Sequence, residues 1–265
     1  MQLFVESVGL LGPGLPGWSA SRPILAGAQP YESGEVVLAA PEALPAPERR
    51  RTGKPVRLAL SAGLDALAGT ARRHDTVASV FTSSGGDGQV IHEICTTLAS
   101  AQRQLSPTRF HNSVHNAPAG YWSIALRSHM PSTSLCCSDW SFAAGLLEAG
   151  VQCFSENGAV LLVSYDVPEP EPLNTAHPIL GVMGAALLLV PKASPAVFAR
   201  IDLRIEADAP APSRMQDPGL EALRAGNPTG RALPLLRALV EPSTGSSVVL
   251  EYLTGIVLRL EVSVC

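Results

Sequence analysis

Two long uncharged runs constrain the fold of this chain most. Residues 159–165 and 181–190 are almost entirely apolar and carry no charged side chain. Each run has the length of a strand with its flanks, and a strand that is apolar on both faces is typical of the centre of a sheet covered by helices on both sides. We therefore expect both runs to be buried strands of a covered sheet.

The rest of the chain alternates between helical and strand patterns. Val56, Leu60, Leu64 and Leu67 recur at helical spacing and predict one amphipathic helix. Further helices are expected over residues 91–104, 139–149 (buried nearly all round), 212–227 (a short helix within a loop) and 231–240. Strands are expected over residues 3–17 (ending in a Gly/Pro turn), 76–82, 132–138, 196–205 and 248–264 (a strand or a hairpin). This alternation predicts an α/β fold.

A glycine cluster follows the strand expected over residues 76–82. Gly85, Gly86 and Gly88 resemble a phosphate-binding loop, but their spacing fits neither G-x-G-x-x-G nor a P-loop, and no lysine follows them. We therefore interpret the cluster as a plain turn between a strand and a helix.

The composition narrows the range of functions. The chain has 265 residues, of which 46% are hydrophobic, so a large core can form without disulfides or metals. Its net charge of −4 argues against nucleic acid as a partner. Arg49, Arg50, Arg51 and Lys54 form the only basic run, which is either a solvated loop or helix start, or a docking patch for an acidic protein.

The cysteines and the apolar runs bear on the cellular setting. No run reaches the roughly 18 apolar residues of a membrane-spanning helix, and the first residues lack the basic region of a secretory signal. The five cysteines are odd in number and lack metal-ligand spacing. We expect a cytoplasmic protein with no membrane contact, no metal and no cofactor.

One segment has the pattern of a catalytic turn. Residues 132–139, Ser-Thr-Ser-Leu-Cys-Cys-Ser-Asp, end a strand and lead into a helix of small residues. Enzymes place nucleophiles at such turns because free N–H groups and the helix dipole lower the pKa of a thiol. The spacing leaves Cys136, Cys137 and Ser138 as candidate nucleophiles, with a pair of buried structural cysteines as the alternative.

Three segments resemble the short β-ketoacyl synthase-like N-terminal family. They are residues 110–124 (Phe-His-Asn-Ser-Val-His-Asn-Ala-Pro-Ala-Gly-Tyr-Trp-Ser-Ile), 143–149 (Ala-Ala-Gly-Leu-Leu-Glu-Ala) and 163–168 (Val-Ser-Tyr-Asp-Val-Pro). The resemblance covers residues 1–205 and implies a thiolase-like α/β fold, the N-terminal half of a ketosynthase, with a mixed central sheet and helices on both faces. Residues 206–265 are expected to be a C-terminal extension packed on the same domain.

The resemblance also implies that the nucleophile has been lost. Matching residues 141–144 to the family pattern C-x-x-S-hydrophobic-x-A places the nucleophile position on Ser138, and Cys137 then lies one residue too early. A serine needs an adjacent base to become a nucleophile. Condensing members use two histidines from later segments, but only His177 follows residue 129, and its surroundings match neither motif.

This pattern resembles a chain length factor. It implies a non-condensing subunit that forms a heterodimer with an active β-ketoacyl synthase in type II polyketide, aryl polyene or fatty-acid-like biosynthesis, with acyl carrier protein reached through the complex. The expected interface and tunnel residues are Phe110, His111, Asn112, His115, Asn116, Tyr121 and Trp122. Packing of their aromatic rings within the chain's own core is the alternative.

Two other functions remain open at this point. One is an acyltransferase or thioesterase that uses Cys137, and the other is a purely structural homodimer. A chain with half of the condensing fold is expected to leave an apolar face bare, which usually marks an interface. We therefore expect an obligate partner and an interface above roughly 1,000 Å².

Overall fold

The computed structural model describes residues 1–101, 103–207, 211–240 and 245–265. The helix expected over residues 91–104 crosses Gln102, which lies outside the described residues. The observed helix ends earlier, at Ala99. The expected extension over residues 206–265 likewise includes residues 208–210 and 241–244, which lie outside the described part.

Strands and helices alternate along the chain as predicted. The strands are β1 (Gln2–Leu11), β2 (Ala78–Thr82), β3 (Ser132–Leu135), β4 (Val160–Asp166), β5 (Met183–Val190), β6 (Ala199–Ala207), β7 (Ser246–Glu251) and β8 (Ile256–Val264). The helices are α1 (Trp18–Leu25), α2 (Ala46–Arg49), α3 (Lys54–Ala68), α4 (Gly88–Ala99), α5 (Pro107–Asn112), α6 (Ala117–Leu126), α7 (Ser141–Ser155), α8 (Leu173–Ala176), α9 (Pro218–Gly226) and α10 (Leu233–Val240). Short 3₁₀ turns lie at His74–Thr76, Ser138–Trp140 and Thr229–Ala232.

The strands form one mixed sheet in the order β3-β2-β4-β5-β1-β6-β8-β7. β2 pairs in parallel with β3 and β4, and the other neighbours are antiparallel. β4 and β5, which contain most of the two uncharged runs, are buried along their whole length near the centre. Helices α3 and α6 cover one face, and α1, α7, α9 and α10 cover the other. The predicted mixed sheet with helices on both faces is confirmed.

Helix α3 lies unusually close to the sheet. Its predicted apolar face is present, with Val56, Leu60 and Leu67 buried. Gly9 of β1 permits the approach, because a Cβ there would collide with the backbone of α3. The absence of a side chain at Gly9 therefore sets the distance between helix and strand.

The helix predicted to be buried nearly all round, residues 139–149, has no exposed residue, but α7 continues beyond it to Ser155 and its last turns are exposed. Phe142 and Leu146 pack against the sheet, but Val151 is 48% exposed and Phe154 is 70% exposed. The helix carries only one charged residue, Glu148. A lack of charge shows that burial is tolerated, but only the neighbouring elements decide whether a face is covered.

Residues 105–131, which gave no clear pattern, form α5 and α6. Each helix has a proline in its first turn, where the missing N–H costs nothing. The Ser106 hydroxyl caps α5 by accepting the N–H of Arg109 at 3.5 Å. Proline in the first turn and a serine cap are the signals by which sequence reasoning could have found α5.

The C-terminal tail packs on the same sheet. β8 pairs with β6, the predicted hairpin β7–β8 is present, and α9 and α10 join the core on the α7 side. The expectation of a bare apolar face is therefore wrong for the face of the sheet that α7 covers, because the tail also packs on that face. The division of the chain into a ketosynthase-like domain (residues 1–205) and a C-terminal extension (residues 206–265) stays a prediction. No helix of the described residues is long and apolar enough to cross a membrane.

Candidate functional site

The turn between β3 and α7 has a strained backbone. Ser138 has a φ of 49°, in the left-handed region that non-glycine residues rarely adopt. The Ser141 hydroxyl holds the turn, since it donates to the Ser138 carbonyl at 2.6 Å and accepts the Cys137 N–H at 3.0 Å. Such strain is concentrated at functional turns. Of the three candidate residues, Ser138 is the one whose backbone has this strained conformation.

No base is paired with the Ser138 hydroxyl. The side chain is exposed and makes no hydrogen bond to any histidine or carboxylate that the structure describes. His177, the histidine that follows this turn in the sequence, lies with its Nε2 3.1 Å from Asp139 Oδ1. Arg231 lies 3.0 Å from Asp139 Oδ2 and also pairs with Glu251. The polar groups beside Ser138 therefore contact one another.

The neighbouring Cys137 thiol is not activated. Burial raises the pKa of the Cys137 thiol, and the adjacent Cys136 raises it further. A raised pKa leaves a neutral thiol at pH 7, which is a poor nucleophile. Cys136 is exposed, with its Sγ 2.9 Å from the Ser84 carbonyl oxygen. The two cysteines are therefore not the buried structural pair that the sequence left open, because Cys136 is exposed and Cys137 is only half-buried.

A buried carboxyl group lies at the end of β4. Asp166 accepts hydrogen bonds from the Ser84 N–H at 2.8 Å, the Ser84 hydroxyl at 2.6 Å, the Ser83 hydroxyl at 3.3 Å and the Thr229 hydroxyl at 2.7 Å. Its pKa is raised by burial, and these hydrogen bonds act in the opposite direction. Asp166 thus joins the ends of β2 and β4 to the tail.

The glycine cluster is the predicted turn between a strand and a helix. The Glu169 carboxylate lies so close to Gly85 and Gly88 that a side chain at either position would collide with it. Asp87 caps α4 by accepting the Val90 N–H at 3.2 Å. Because a carboxylate already lies at the start of α4, no room is left for a phosphate.

Removal of the Glu169 charge is expected to stabilise the protein at neutral pH. The pKa of Glu169 is raised by burial, offset in part by His177, and raised again by Asp87 and Asp166. A carboxyl group with a raised folded-state pKa favours folding at low pH, and that contribution is lost as the pH rises through the folded pKa. Glu169→Gln should therefore exceed the wild type in free energy of unfolding at pH 7, by only about 0.3 kcal/mol because solvent screens the partly exposed carboxylate.

The measurement is urea unfolding of both proteins between pH 3 and pH 8. The difference should disappear at the acidic end, where Glu169 is protonated in both states. Glu156→Gln, at the exposed end of α7, controls for the change in net charge. A difference that stays constant across the pH range would contradict the prediction.

Three of the predicted interface residues are buried in the chain's own core. The Tyr121 hydroxyl donates to Asn112 Oδ1 at 3.0 Å, and Asn112 Nδ2 donates to the Arg51 carbonyl at 2.8 Å. The Trp122 ring packs edge-on against Phe81 with centroids 5.9 Å apart. Asn112, Tyr121 and Trp122 therefore do not lie on the surface of the chain, and their assignment to an interface or tunnel stays a prediction.

The other four predicted interface residues are accessible. Phe110, His111 and Asn116 are exposed, and His115 is half-buried with its Nε2 3.2 Å from the Ser83 carbonyl oxygen. Phe110 lines an apolar groove of about 450 Å³ between α5 and α6, together with Val114 and other residues. A shallower depression of about 510 Å³ lies between α6 and β3.

β3 is an unpaired edge of the sheet. The Ser79 N–H donates to the Pro131 carbonyl at 3.0 Å, and the Ser83 N–H donates to the Leu135 carbonyl at 3.4 Å. Successive residues of a strand face opposite neighbours, so the backbone groups of Ser132 and Ser134 point away from β2. A free row of N–H and C=O groups is a template for a strand of another chain.

Exposed apolar side chains lie on both sides of this edge. Phe110, Val114 and Ile124 lie on the α5–α6 side. Val151 and Phe154 lie on α7, whose Gln152 side chain donates to Thr133 of β3 at 2.8 Å. Sequence reasoning missed Val151 and Phe154. Their helical spacing, which places Val151 opposite Leu146, could have revealed them.

The sequence matches the model of the family described as β-ketoacyl synthase, N-terminal domain, over residues 19–245. This chain belongs to the β-ketoacyl synthase N-terminal domain family. The match includes the turn at Ser138, the β3 edge and most of the tail. A search of curated proteins found no match to this sequence.

Solved structures share the fold of this β-ketoacyl synthase family member. One is the ketosynthase ApeO in complex with its chain length factor ApeC from Xenorhabdus doucetiae, with 22% identity, a TM-score of 0.74, and 98% of this chain and 99% of that chain covered. Another is the ishigamide ketosynthase/chain length factor, with 13% identity, a TM-score of 0.71 and 99% of both chains covered.

A third structure is AntDE:AntF, a type II polyketide acyl carrier protein in complex with its ketosynthase. It has 12% identity, a TM-score of 0.74, and 100% of this chain and 99% of that chain covered. At such low identities the likeness establishes the fold, and it confirms the predicted thiolase-like α/β architecture.

Proposed function

We propose that this chain is a non-condensing subunit of the chain-length-factor type, which pairs with an active β-ketoacyl synthase in type II polyketide, aryl polyene or fatty-acid-like biosynthesis. The observation that carries the proposal is Ser138, which occupies the strained position between β3 and α7 with no base on its hydroxyl. A serine without a base cannot attack an acyl thioester at a useful rate.

The histidine content supports the same conclusion. Decarboxylative condensation needs groups that stabilise an enolate oxygen, and condensing members of the family use two histidines from later segments. His177 is the only histidine after residue 129, and its imidazole contacts the Asp139 carboxylate. Residues 130–265 therefore hold one imidazole where condensing members use two.

The alternative enzyme, an acyltransferase or thioesterase that uses Cys137, has less support. Such an enzyme needs a thiolate, and burial shifts the pKa of the Cys137 thiol in the direction that disfavours one. No histidine in the described part of the chain hydrogen-bonds the Cys137 sulfur.

The free edge of β3 and its apolar flanks support a heterodimer. A partner strand added to β3 would satisfy the outward backbone groups of Ser132 and Ser134, and the exposed side chains on both sides would be buried with it. The structures described above as ketosynthase/chain length factor pairs have the same fold, which favours a ketosynthase as the partner.

Ser134→Pro is expected to abolish the heterodimer. Proline removes the outward N–H of β3 but leaves the hydrogen bonds to β2, so the chain itself should keep its fold. The measurement is native mass spectrometry after co-expression with a full-length β-ketoacyl synthase from the same organism. The wild type should appear as a one-to-one complex, and the variant as a free chain with nearly unchanged circular dichroism.

Ser247→Pro is the matched control. It makes the same change in β7, at the other edge of the sheet, and should leave the heterodimer intact. A stable homodimer that ignores the ketosynthase would overturn the proposal in favour of a structural protein. Acyl loading from carrier protein that is lost in Cys137→Ala and kept in Ser138→Ala would overturn it in favour of the acyltransferase.

The remaining parts of the proposal concern the carrier protein, the cellular location and the domain organisation of the chain. Acyl carrier protein is reached through the heterodimer. The setting is the reducing cytoplasm, which is consistent with five free cysteines. Residues 206–265 are an extension packed on the ketosynthase-like domain, and the pairing of β8 with β6 supports this arrangement.

A further inference from the structure

A long connection joins β4 to β5 across one end of the sheet. Residues 167–182 leave β4 at its carboxyl end and contain four prolines and the short helix α8. Because β2, β3 and β4 are parallel, their carboxyl ends meet at this same end of the sheet. In open α/β sheets, ligands bind outside the carboxyl ends of the strands. The connection therefore lies where such a sheet would hold a ligand.

The middle of this connection, residues 168–178, is bonded mainly to itself, and we call it the strap. The Asn174 N–H donates to the Pro170 carbonyl at 3.2 Å, and the His177 N–H donates to the Leu173 carbonyl at 2.9 Å. All residues of the strap are described, and none of them is buried. Segments with so few buried contacts open locally at a low cost in free energy.

One side-chain contact fastens the strap. Within the described part of the chain, a single hydrogen bond joins residues 168–179 to any other segment, and it links His177 Nε2 to Asp139 Oδ1 at 3.1 Å. Asp139 directly follows Ser138, and its other oxygen accepts a hydrogen bond from Arg231 at 3.0 Å. The His177 and Asp139 side chains are both more than 40% exposed, so solvent screens the contact and keeps it weak.

The Glu169 side chain fills space under the strap without fastening it. Its carboxylate lies against Gly85 and Gly88, where an added Cβ would collide with it. Asp87 and Asp166 both act to raise the pKa of Glu169, which means that their charges repel an ionised carboxylate there. The strap is therefore closed at this end by shape, and His177 supplies the attractive contact.

We propose that residues 168–178 open and close as one unit over the carboxyl ends of β2 and β4, with the His177–Asp139 contact as the clasp. Opening withdraws Glu169 from the glycine cluster and removes one of the two partners of Asp139. The strap thereby couples the space at the end of the sheet to the turn that carries Ser138. This device is independent of the proposed function, because every group in it belongs to this chain.

Hydrogen–deuterium exchange of the full chain at pH 7, followed by mass spectrometry, tests the strap. In the wild type, peptides from the strap should exchange faster than peptides from β4, because the strap opens while the sheet stays folded. His177→Ala removes the clasp and should speed exchange in the strap about threefold, with β4 unchanged. His177→Gln keeps a side-chain donor for Asp139 and should restore most of the protection.

His129→Ala is the matched control, since it removes an exposed imidazole from the loop before β3 and should leave exchange in the strap unchanged. Equal acceleration in this control and in His177→Ala would overturn the inference. So would wild-type strap peptides that exchange no faster than β4, because the strap would then open only with the whole fold. Acceleration of β4 to the same extent in His177→Ala would show general destabilisation instead of a released clasp.

Discussion

Asp166→Ala is expected to lower the free energy of unfolding by about 3 kcal/mol. The carboxyl group accepts four hydrogen bonds from the backbone of Ser84 and from the hydroxyls of Ser83, Ser84 and Thr229. Alanine would remove the acceptor that these buried and half-buried donors share. That loss exceeds the gain from removing a carboxyl group whose pKa is already raised by burial.

Urea unfolding at pH 7 measures the effect. We expect a lower urea concentration at the unfolding midpoint and an unchanged dependence of the free energy of unfolding on urea concentration. Asp166→Asn keeps one acceptor oxygen and should lose about 1 kcal/mol. Asp202→Ala removes a surface carboxylate paired with Arg200 at 3.1 Å and should change stability by less than about 0.5 kcal/mol. An Asp166→Ala protein as stable as Asp202→Ala would show that this network does not hold the tail to the sheet.

Gly9→Ala is expected to destabilise the protein by about 3 kcal/mol, through overpacking rather than lost contacts. A Cβ at Gly9 would collide with the Ala62 carbonyl and approach the Ala66 nitrogen to 2.7 Å. Backbone atoms cannot rotate away as a flexible side chain can. The substitution therefore forces α3 away from β1 and opens the packing around Leu60 and its neighbours.

Thermal unfolding followed by circular dichroism measures this change, with an expected fall in Tm of several degrees. Gly120→Ala is the matched control, because a Cβ at this helical position meets nothing within 4 Å. Because alanine has a higher helix propensity than glycine, Gly120→Ala should raise the free energy of unfolding by about 0.5–1 kcal/mol. A Gly9→Ala protein with a wild-type Tm would mean that α3 can move outward at no cost.

These two substitutions concern how a short member of the family completes its own core. Thr229 reaches Asp166 from the tail, and α3 closes the opposite face against Gly9. Several apolar side chains that stay exposed, including Phe110 and Phe154, then lie on the two sides of β3. A chain that covers both faces of its sheet but leaves one edge open is suited to a partner at that edge.

Much of the fold could be predicted from the sequence because its signals are local. The uncharged runs of β4 and β5 identified the centre of the sheet, and the spacing of Val56, Leu60 and Leu67 identified α3. The position of Ser138 came from the resemblance to the family pattern, and the strained backbone there supports it. Each of these features depends on a few neighbouring residues.

Only the tertiary structure decided which side chains are free. Tyr121 and Trp122 have the composition of an interface, yet Asn112 and Phe81 bury them, while Val151 and Phe154 in an apolar helix stay exposed. The physical reason is that the burial of a side chain depends on which other helix or strand packs against it. The sequence of one element alone does not determine that. The sequence by itself determined most of the strands, the longer helices α3 and α7 and the turn at Ser138, and long-range packing determined which apolar surface remains for another molecule.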